Sequence, residues 1–289
     1  MSSNINALKS RIKVIGETAQ ITNAMKMISM AKYYKINEKY EKNDHYQDKV
    51  RATIKTILKE SGEIDHAYFA KRERKNSTYV VIASDTGLAG DYNHRVLNFA
   101  ESTILDAEND TRIFTIGYMA YEFFEKSMLN PEGEFLFSAQ NPSIDDAARI
   151  TSVLIDLFDS GATDEVNIIF TTDDGNATSA VMQRLLPLSR RMFLNEEINE
   201  FAGITFEPSM KELFDILVPQ YVLSAVYTAL IESVKCEHIE RMVTMSGSTK
   251  NAEEMLEKLK LEYNRSRQEQ ITTEIAEITA AVAEEYDGD

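Results

Sequence analysis

Thiol chemistry is almost absent from this chain of 289 residues, which holds one cysteine, Cys236. A single cysteine excludes an intrachain disulfide framework and suits a reducing compartment. In a helical pattern it reads as a packed or surface thiol rather than a nucleophile. The first residues, MSSNINALKSRIKVIGE, lack the roughly 7–15-residue apolar core of a signal peptide. No stretch reaches the ~18 apolar residues of a membrane span, so the reading is a cytoplasmic protein, or one held at a membrane through partners. Proline is also scarce, with five in all, and unevenly spread. Residues 4–60 have none and only one glycine, Gly16; after Pro219 there is none, and Gly247 is the only glycine before Gly288.

The common signatures of chemistry are missing too. The turn-rich stretch Ser84-Asp85-Thr86-Gly87-Leu88-Ala89-Gly90 follows an apolar run, but it lacks both the G-x-x-x-x-G-K-[ST] phosphate cradle and a full G-x-G-x-x-G fingerprint. Asp91 would repel a phosphate at that point. The four histidines, His45, His66, His94 and His238, stand at no metal-ligand spacing. Asp173-Asp174-Gly175-Asn176 resembles a calcium loop only at its start, because Leu185 or a neighbour, and no acid, falls at the twelfth position; a surface turn is the better reading. No nucleophile, base and orienter assemble. The reading is therefore of a chain without catalytic residues, cofactor or metal.

What the chain does have is charge asymmetry and long helical patterning. The net charge is −16, yet residues 1–60 carry twelve Lys/Arg against six Asp/Glu, a net of +6. Residues 61–208 hold 11 against 25 and residues 209–289 hold 8 against 16. An acidic bulk of this kind argues against nucleic-acid binding. In the basic segment Ile5, Leu8, Ile12, Ile15 and Ala19 step by three and four, an a/d seam. The pattern shifts frame through Ile21, Met25 and Ile28 and resumes loosely at Tyr40, Ile54, Ile57 and Leu58. At the other end Met242, Met245, Thr249, Ala252, Leu256, Leu259 and Tyr263 repeat the spacing, and Ile271, Ile275, Ile278 and Val282 extend the stripe. Gly247 is expected to interrupt this helix. Helices over 4–60 and 220–286 would run about 85 and 100 Å, against about 40 Å for a compact globule of this size. The two stripes must therefore pack on each other as an antiparallel coiled coil.

The middle reads as α/β. Strands are expected at Tyr79–Ala83, Arg112–Gly117 and Glu165–Phe170, with helices from about Arg95 to Glu108 and over Ile144–Asp159, the latter ended by Gly161. Alternation of this kind gives a mainly parallel sheet with right-handed crossovers.

Three blocks carry a family resemblance. Gln20-Ile21-Thr22-Asn23-Ala24-Met25-Lys26-Met27-Ile28 is similar to Q-x-I-T-K-A-M-x-M-V with one spacer missing. Ser84 to Asn93, SDTGLAGDYN, is similar to S-D-R-G-L-C-G-G-[FY]-N. Cys236 to Met245, CEHIERMVTM, is similar to S-E-x-x-A-R-M-x-A-M, and Tyr263 to Ile278 continues it. Together they resemble the gamma subunits of F-type ATP synthases. The departures are Thr86 for a usual Arg, Ala89 for a usual small residue or Cys, Asp91 for a second Gly, and Glu240 for a usual Ala.

The resemblance implies an α/β protein: a long antiparallel coiled coil of the N- and C-terminal helices plus a central Rossmann-like domain. Residues 1–60 would be the first shaft helix, 61–208 the central domain and 209–289 the second shaft helix. It implies a non-catalytic rotor, turned by ATP hydrolysis in a ring of three alpha and three beta subunits or by proton or sodium flow through a membrane rotor ring. An epsilon subunit would bind the lower end. The chain would sit on the cytoplasmic side of the cell membrane through its complex, with no direct insertion. Met25, Lys26, Arg241, Arg267, Gln268 and Thr272 would be the coupling contacts to the alpha/beta ring, and Phe206 and Glu207, in a Tyr-Glu-Pro-like segment, would lie at the rotor-ring end. The rival readings are a paralogous shaft of a specialised hydrolytic motor, a structural coiled-coil adaptor, and an α/β enzyme with helical extensions.

Overall fold

The computed structural model describes residues 2–60, 66–70, 72–73, 75–135, 137, 139–175, 177–194 and 209–286. Eleven elements follow in order: α1 (Ser2–Glu60), β1 (Asn76–Ile82), α2 (Tyr92–Leu105), β2 (Asp110–Ile116), α3 (Tyr118–Lys126), β3 (Gly133–Glu134), α4 (Ile144–Asp159), β4 (Glu165–Asp173), β5 (Thr178–Leu186), α5 (Arg191–Leu194) and α6 (Met210–Tyr286). They divide into two compact units, one of Met1–Ser29 with Met242–Asp289 and one of Met30–Arg241.

The second unit is built on one sheet of order β3-β2-β1-β4-β5. β1 pairs in parallel with β2 and β4, β2 with β3, while β5 runs antiparallel to β4 at the edge. β1 is buried on both faces, and its second half, Tyr79–Ile82, is accordingly apolar, while Ser77 and Thr78 are buried polar residues at its start. Tyr79, Val81 and Ala83 face α2 and α3, where Val96, Leu97, Ala100 and Phe124 are buried. Val80 and Ile82 face the larger core, made by Ile150, Leu154 and Phe158 of α4, Ile54 and Leu58 of α1, and a run of α6 from Phe214 to Leu230. α4 starts with a capping box in which Ser143 and Asp146 satisfy each other's backbone N–H. Its bounds are those expected from the sequence.

Several expectations need correction. α2 starts and ends about a turn earlier than expected, because Arg95 N donates to the Asp91 carbonyl and makes Asp91 the N-cap. α3, β3, β5 and α5 are not among the expected elements; β5 pairs with β4 across the turn that follows Asp173, where Ala177 N donates to Asp174 Oδ1 (2.8 Å). α6 starts ten residues before residue 220 and carries Pro219 inside. Burial of Phe214, Val218, Tyr221 and Val222 on either side outweighs the about 3 kcal/mol of an internal proline. Nor does Gly247 interrupt α6, which is helical throughout its bounds. α6 also contains an 18-residue window apolar enough, by length and composition, to cross a membrane, and just over half of that window is buried in the fold.

The frame shift in α1 does not occur. Ile21 and Ile28 are more than half exposed, whereas Thr22 and Ser29 are buried. The a/d register started by Ile5 and Leu8 continues unshifted, with small polar residues filling seam positions. In the first unit Thr22 Oγ1 meets Thr249 Oγ1 of α6 at 2.7 Å. In the second unit the register reaches Ile36, Asn43, Val50, Ile54 and Ile57, all buried. There Asn43 Nδ2 donates to Ser224 O (3.3 Å) and Thr228 Oγ1 (2.7 Å), and Ile36 packs on Ile231 and Val234. Numbers rise on one helix as they fall on the other, so the pairing is antiparallel.

Two glycines should respond with opposite sign to replacement by alanine. At Gly117 φ is +89°, and an added Cβ would lie 2.2 Å from the Ala83 carbonyl oxygen, so Gly117→Ala should cost at least about 2 kcal/mol. At Gly247 nothing lies within 4 Å of an added Cβ, so Gly247→Ala should gain about 0.5–1 kcal/mol through helix propensity. Urea unfolding midpoints of the two variants test both; a loss at Gly247 would refute the continuous helix there.

Candidate functional site

The residues singled out from the sequence fall into two groups. The first is a polar socket in the second unit. The loop after β1 leaves the sheet at its topological switch point, since β1 is flanked by β2 and β4. An α/β protein commonly seats a ligand there. Here the loop is folded on itself and on α6. Ser84 N donates to Asn93 Oδ1 (3.0 Å), and Ser84 Oγ lies 2.6 Å from Thr86 O. Asp85 Oδ1 accepts from Tyr118 N at 3.4 Å. Leu88, at φ 63°, and Gly90, at φ 56°, both take left-handed conformations to close the turn.

Arg241 of α6 reaches into this loop. Its Nη2 donates to Gly87 O (3.2 Å), Thr86 Oγ1 (3.4 Å) and Glu237 Oε1 (2.5 Å), and its Nη1 faces His238 Nδ1 at 3.3 Å. Arg241, Glu237 and His238 are all buried. Burial drives the Glu237 carboxyl above the usual range even though Arg241 pulls it down. Burial, then the nearby Arg241 and Lys32 charges, lower His238 to about 4, so its ring is neutral at neutral pH. Lys32 of α1 donates to Gln140 Oε1 (3.1 Å), and Gln140 Nε2 donates to Thr86 Oγ1 (3.2 Å), which ties α1 into the same network. Beside it Ala89, Tyr92 and Cys236 form a small apolar cluster, and burial pushes the Cys236 thiol well up.

Two of the family departures have partners inside the fold. Thr86 receives Arg241 and Gln140. Glu240 takes Arg95 of α2 and Thr178 of β5. Glu232, about two turns earlier on α6, accepts from Thr172 Oγ1 at 2.5 Å, and Lys235 lies 3.6 Å from Asp173. α6 is thus locked to the sheet edge by polar contacts that the sequence alone did not reveal.

The second group lies on the helices of the first unit. Met25 and Lys26 are half-buried on α1; Arg267, Gln268 and Thr272 are exposed on α6. Thr272 Oγ1 donates back to Gln268 O (2.9 Å), an ordinary intrahelical contact. Among the described residues neither Lys26 nor Arg267 is within ion-pair distance of a carboxylate. Arg267 lies eighteen residues from Thr249, about 27 Å along the helix, so Lys26 and Arg267 are separate spots. Arg241 lies in the other unit, engaged in the socket. Around Lys26 the exposed Ile21, Met27 and Ile28 make an apolar surface, and Ile271, Ile275 and Ile278 do so around Thr272. Phe206 and Glu207 lie outside the described residues.

Comparison with known proteins converges. The family model described as ATP synthase matches residues 4–283. The ATP synthase gamma chain of Acetivibrio thermocellus is 39% identical over 287 residues, covering 96% of this chain and 97% of that one. The ATP synthase gamma chain, sodium ion specific, of Acetobacterium woodii is 35% identical, again covering 96% and 97%. Among solved structures, a chain of the Euglena gracilis mitochondrial ATP synthase (OSCP/F1/c-ring) aligns with a TM-score of 0.67 at 15% identity, covering 100% of this chain and 96% of that one. A chain of the Tetrahymena thermophila mitochondrial ATP synthase central stalk/c-ring aligns at 0.61 and 21% identity, covering 78% and 98%.

The socket makes stability depend on pH in a definite direction. His238 is held near pKa 4 in the folded chain against an ordinary 6.5. As pH falls from 6.5 toward 4 the unfolded chain binds a proton that the folded chain refuses, so stability is lost. Glu237, with its raised pKa, works the other way. His238→Gln should therefore retain roughly 2–3 kcal/mol more of its pH 7 stability at pH 4.5 than the parent, read from urea unfolding at both pH values. Parallel losses in the two proteins would show that the ring is not buried in the neutral form.

Proposed function

Because the chain belongs to the family of ATP synthase gamma chains, we propose that it is the rotating central shaft of an F-type ATPase and contributes no catalytic group of its own. The observation that carries this reading is where the chain passes from one unit to the other. Both passages, at Ser29–Met30 and Arg241–Met242, lie inside helices rather than loops. Along α1 and α6 the backbone is hydrogen-bonded over the whole of each helix, as a shaft requires. The crevice at the sheet's switch point is engaged by Arg241, so that a fold able to hold a ligand holds its own helix there instead.

In this reading Lys26 and Met25, and higher up Arg267, Gln268 and Thr272, meet the alpha/beta ring, each cation set among exposed apolar residues. Arg241 acts as a positioning residue that fixes the loop to α6. The α/β body binds an epsilon subunit and the membrane rotor ring, and the whole lies at the cytoplasmic side of the membrane. Thr86 and Glu240, which depart from the family pattern, have partners within the chain.

Two measurements test this. Purified chain alone should hydrolyse no ATP, yet raise multi-turnover ATPase when added to alpha and beta subunits; turnover by the chain itself would end the proposal. Lys26→Gln or Arg267→Gln alone should weaken assembly by no more than about fivefold, since an ion pair at such a surface is worth at most about 1 kcal/mol. At their separation the double variant should show the product of the two effects, diminishing as salt rises. Variants that match the parent in assembly, salt response and turnover would show that these side chains are solvated surface.

A further inference from the structure

A cleft in the second unit, formed by α1, α6 and the turn before α4, has an unusual lining for so acidic a protein. Its volume is about 250 Å3, and three lysines, Lys32, Lys35 and Lys39, border it together with Gln140, Asn141 and His238. No carboxylate lines it. The lysines stand at i, i+3 and i+7 on α1 and so share one face. None of the three makes an ion pair among the described residues. Lys32 gives one hydrogen bond to Gln140 Oε1 (3.1 Å), and Lys39 lies 3.4 Å from both Asn141 Oδ1 and Pro142 O. Each ammonium has three donors, so these contacts hold the turn against α1 and leave donors unspent. Buried Ile36 and Val234 also line the cleft, and His238 adds no charge at neutral pH.

We propose that this cleft binds a small phosphoryl oxyanion of the pyrophosphate class. Three ammonium groups without an ion-pair partner call for a multivalent anion, because one carboxylate would leave two of them unmatched. The volume corresponds to roughly eight waters at about 30 Å3 each, which suits a di- or triphosphate group better than a length of polypeptide. The chain's net charge of −16 repels anions at long range. Binding must therefore come from close contacts in the cleft and should depend steeply on individual lysines. The proposal is independent of the rotor reading.

Titration calorimetry of pyrophosphate into the full chain at about 150 mM salt tests it. We expect one site with Kd on the order of 0.1 mM, and orthophosphate about tenfold weaker. Lys35→Ala, an exposed change that leaves folding intact, should weaken pyrophosphate at least tenfold, and Lys32→Gln should do the same. Lys49→Ala, on the same helix outside the cleft, should bind like the parent. ATP measured beside pyrophosphate distinguishes a nucleotide's phosphate tail from the free ion. Absence of saturable heat at ten times the expected Kd would overturn the proposal. So would lysine variants that bind like the parent, or sulfate competing as well as pyrophosphate, which would reduce the effect to unspecific attraction. Lys35-dependent binding of a Glu-rich peptide without pyrophosphate binding would assign the cleft to a protein partner and overturn it equally.

Discussion

Everything in the second unit depends on covering a sheet whose central strand is apolar on both sides. β1 leaves none of its last six residues exposed, and α2 with α3 can cover only one face. The other face needs α4, the end of α1 and more than four turns of α6. The first third of α6 is thus a core helix, all but indispensable to the α/β body, and not an appendage to it. Deleting it would uncover a face of Val80, Ile82, Val166 and Ile168, at a cost far beyond the marginal stability of a domain. Removal of the helices to leave a free-standing body is therefore ruled out by packing alone.

Polar contacts then refine what apolar burial makes possible. Arg241, Glu237 and the Ser84–Asn93 loop form a buried network that fixes where α6 lies along the sheet, since directional bonds specify register while apolar contact does not. Glu240 with Arg95 and Thr178 adds a second fixed point. Positive charge in this acidic chain is accordingly put to two different uses. Arg95 and Arg241 are consumed internally, whereas Lys26, Lys35 and Arg267 remain available on the outside.

The sequence was most legible where one physical signal dominated. α4 could be bounded to the residue because its amphipathic pattern is sharp and Gly161 ends it. The long helices were visible from missing proline and from seam spacing. The apparent frame shift misled because Ile21 and Ile28 are apolar yet outside, while Thr22, Ser29 and Asn43 are polar yet inside; a hydropathy pattern cannot register buried hydroxyls that find partners on the facing helix. β5 was missed because its burial is mixed, as befits an edge strand. At the site, the motif blocks indicated Arg241 but not its direction: whether a helix cation faces solvent or a buried carboxylate depends on tertiary packing. Lys26, Arg267, Gln268 and Thr272 were placed on helices correctly, and the cleft of Lys32, Lys35 and Lys39 could not be seen, because its other wall comes from a turn a hundred residues away.

The polar residues in the seam have a consequence for how the paired helices respond to twist. Apolar side chains slide past one another with little penalty until a whole knob must leave its hole. Thr22 against Thr249, and Asn43 against Ser224 and Thr228, behave instead as keys in slots: each bond is lost within a fraction of an ångström and regained only at the original setting. Within each unit, helices keyed in this way resist creeping into a neighbouring register. Each keyed pair therefore has a memory of its setting that a seam of leucines alone would not provide.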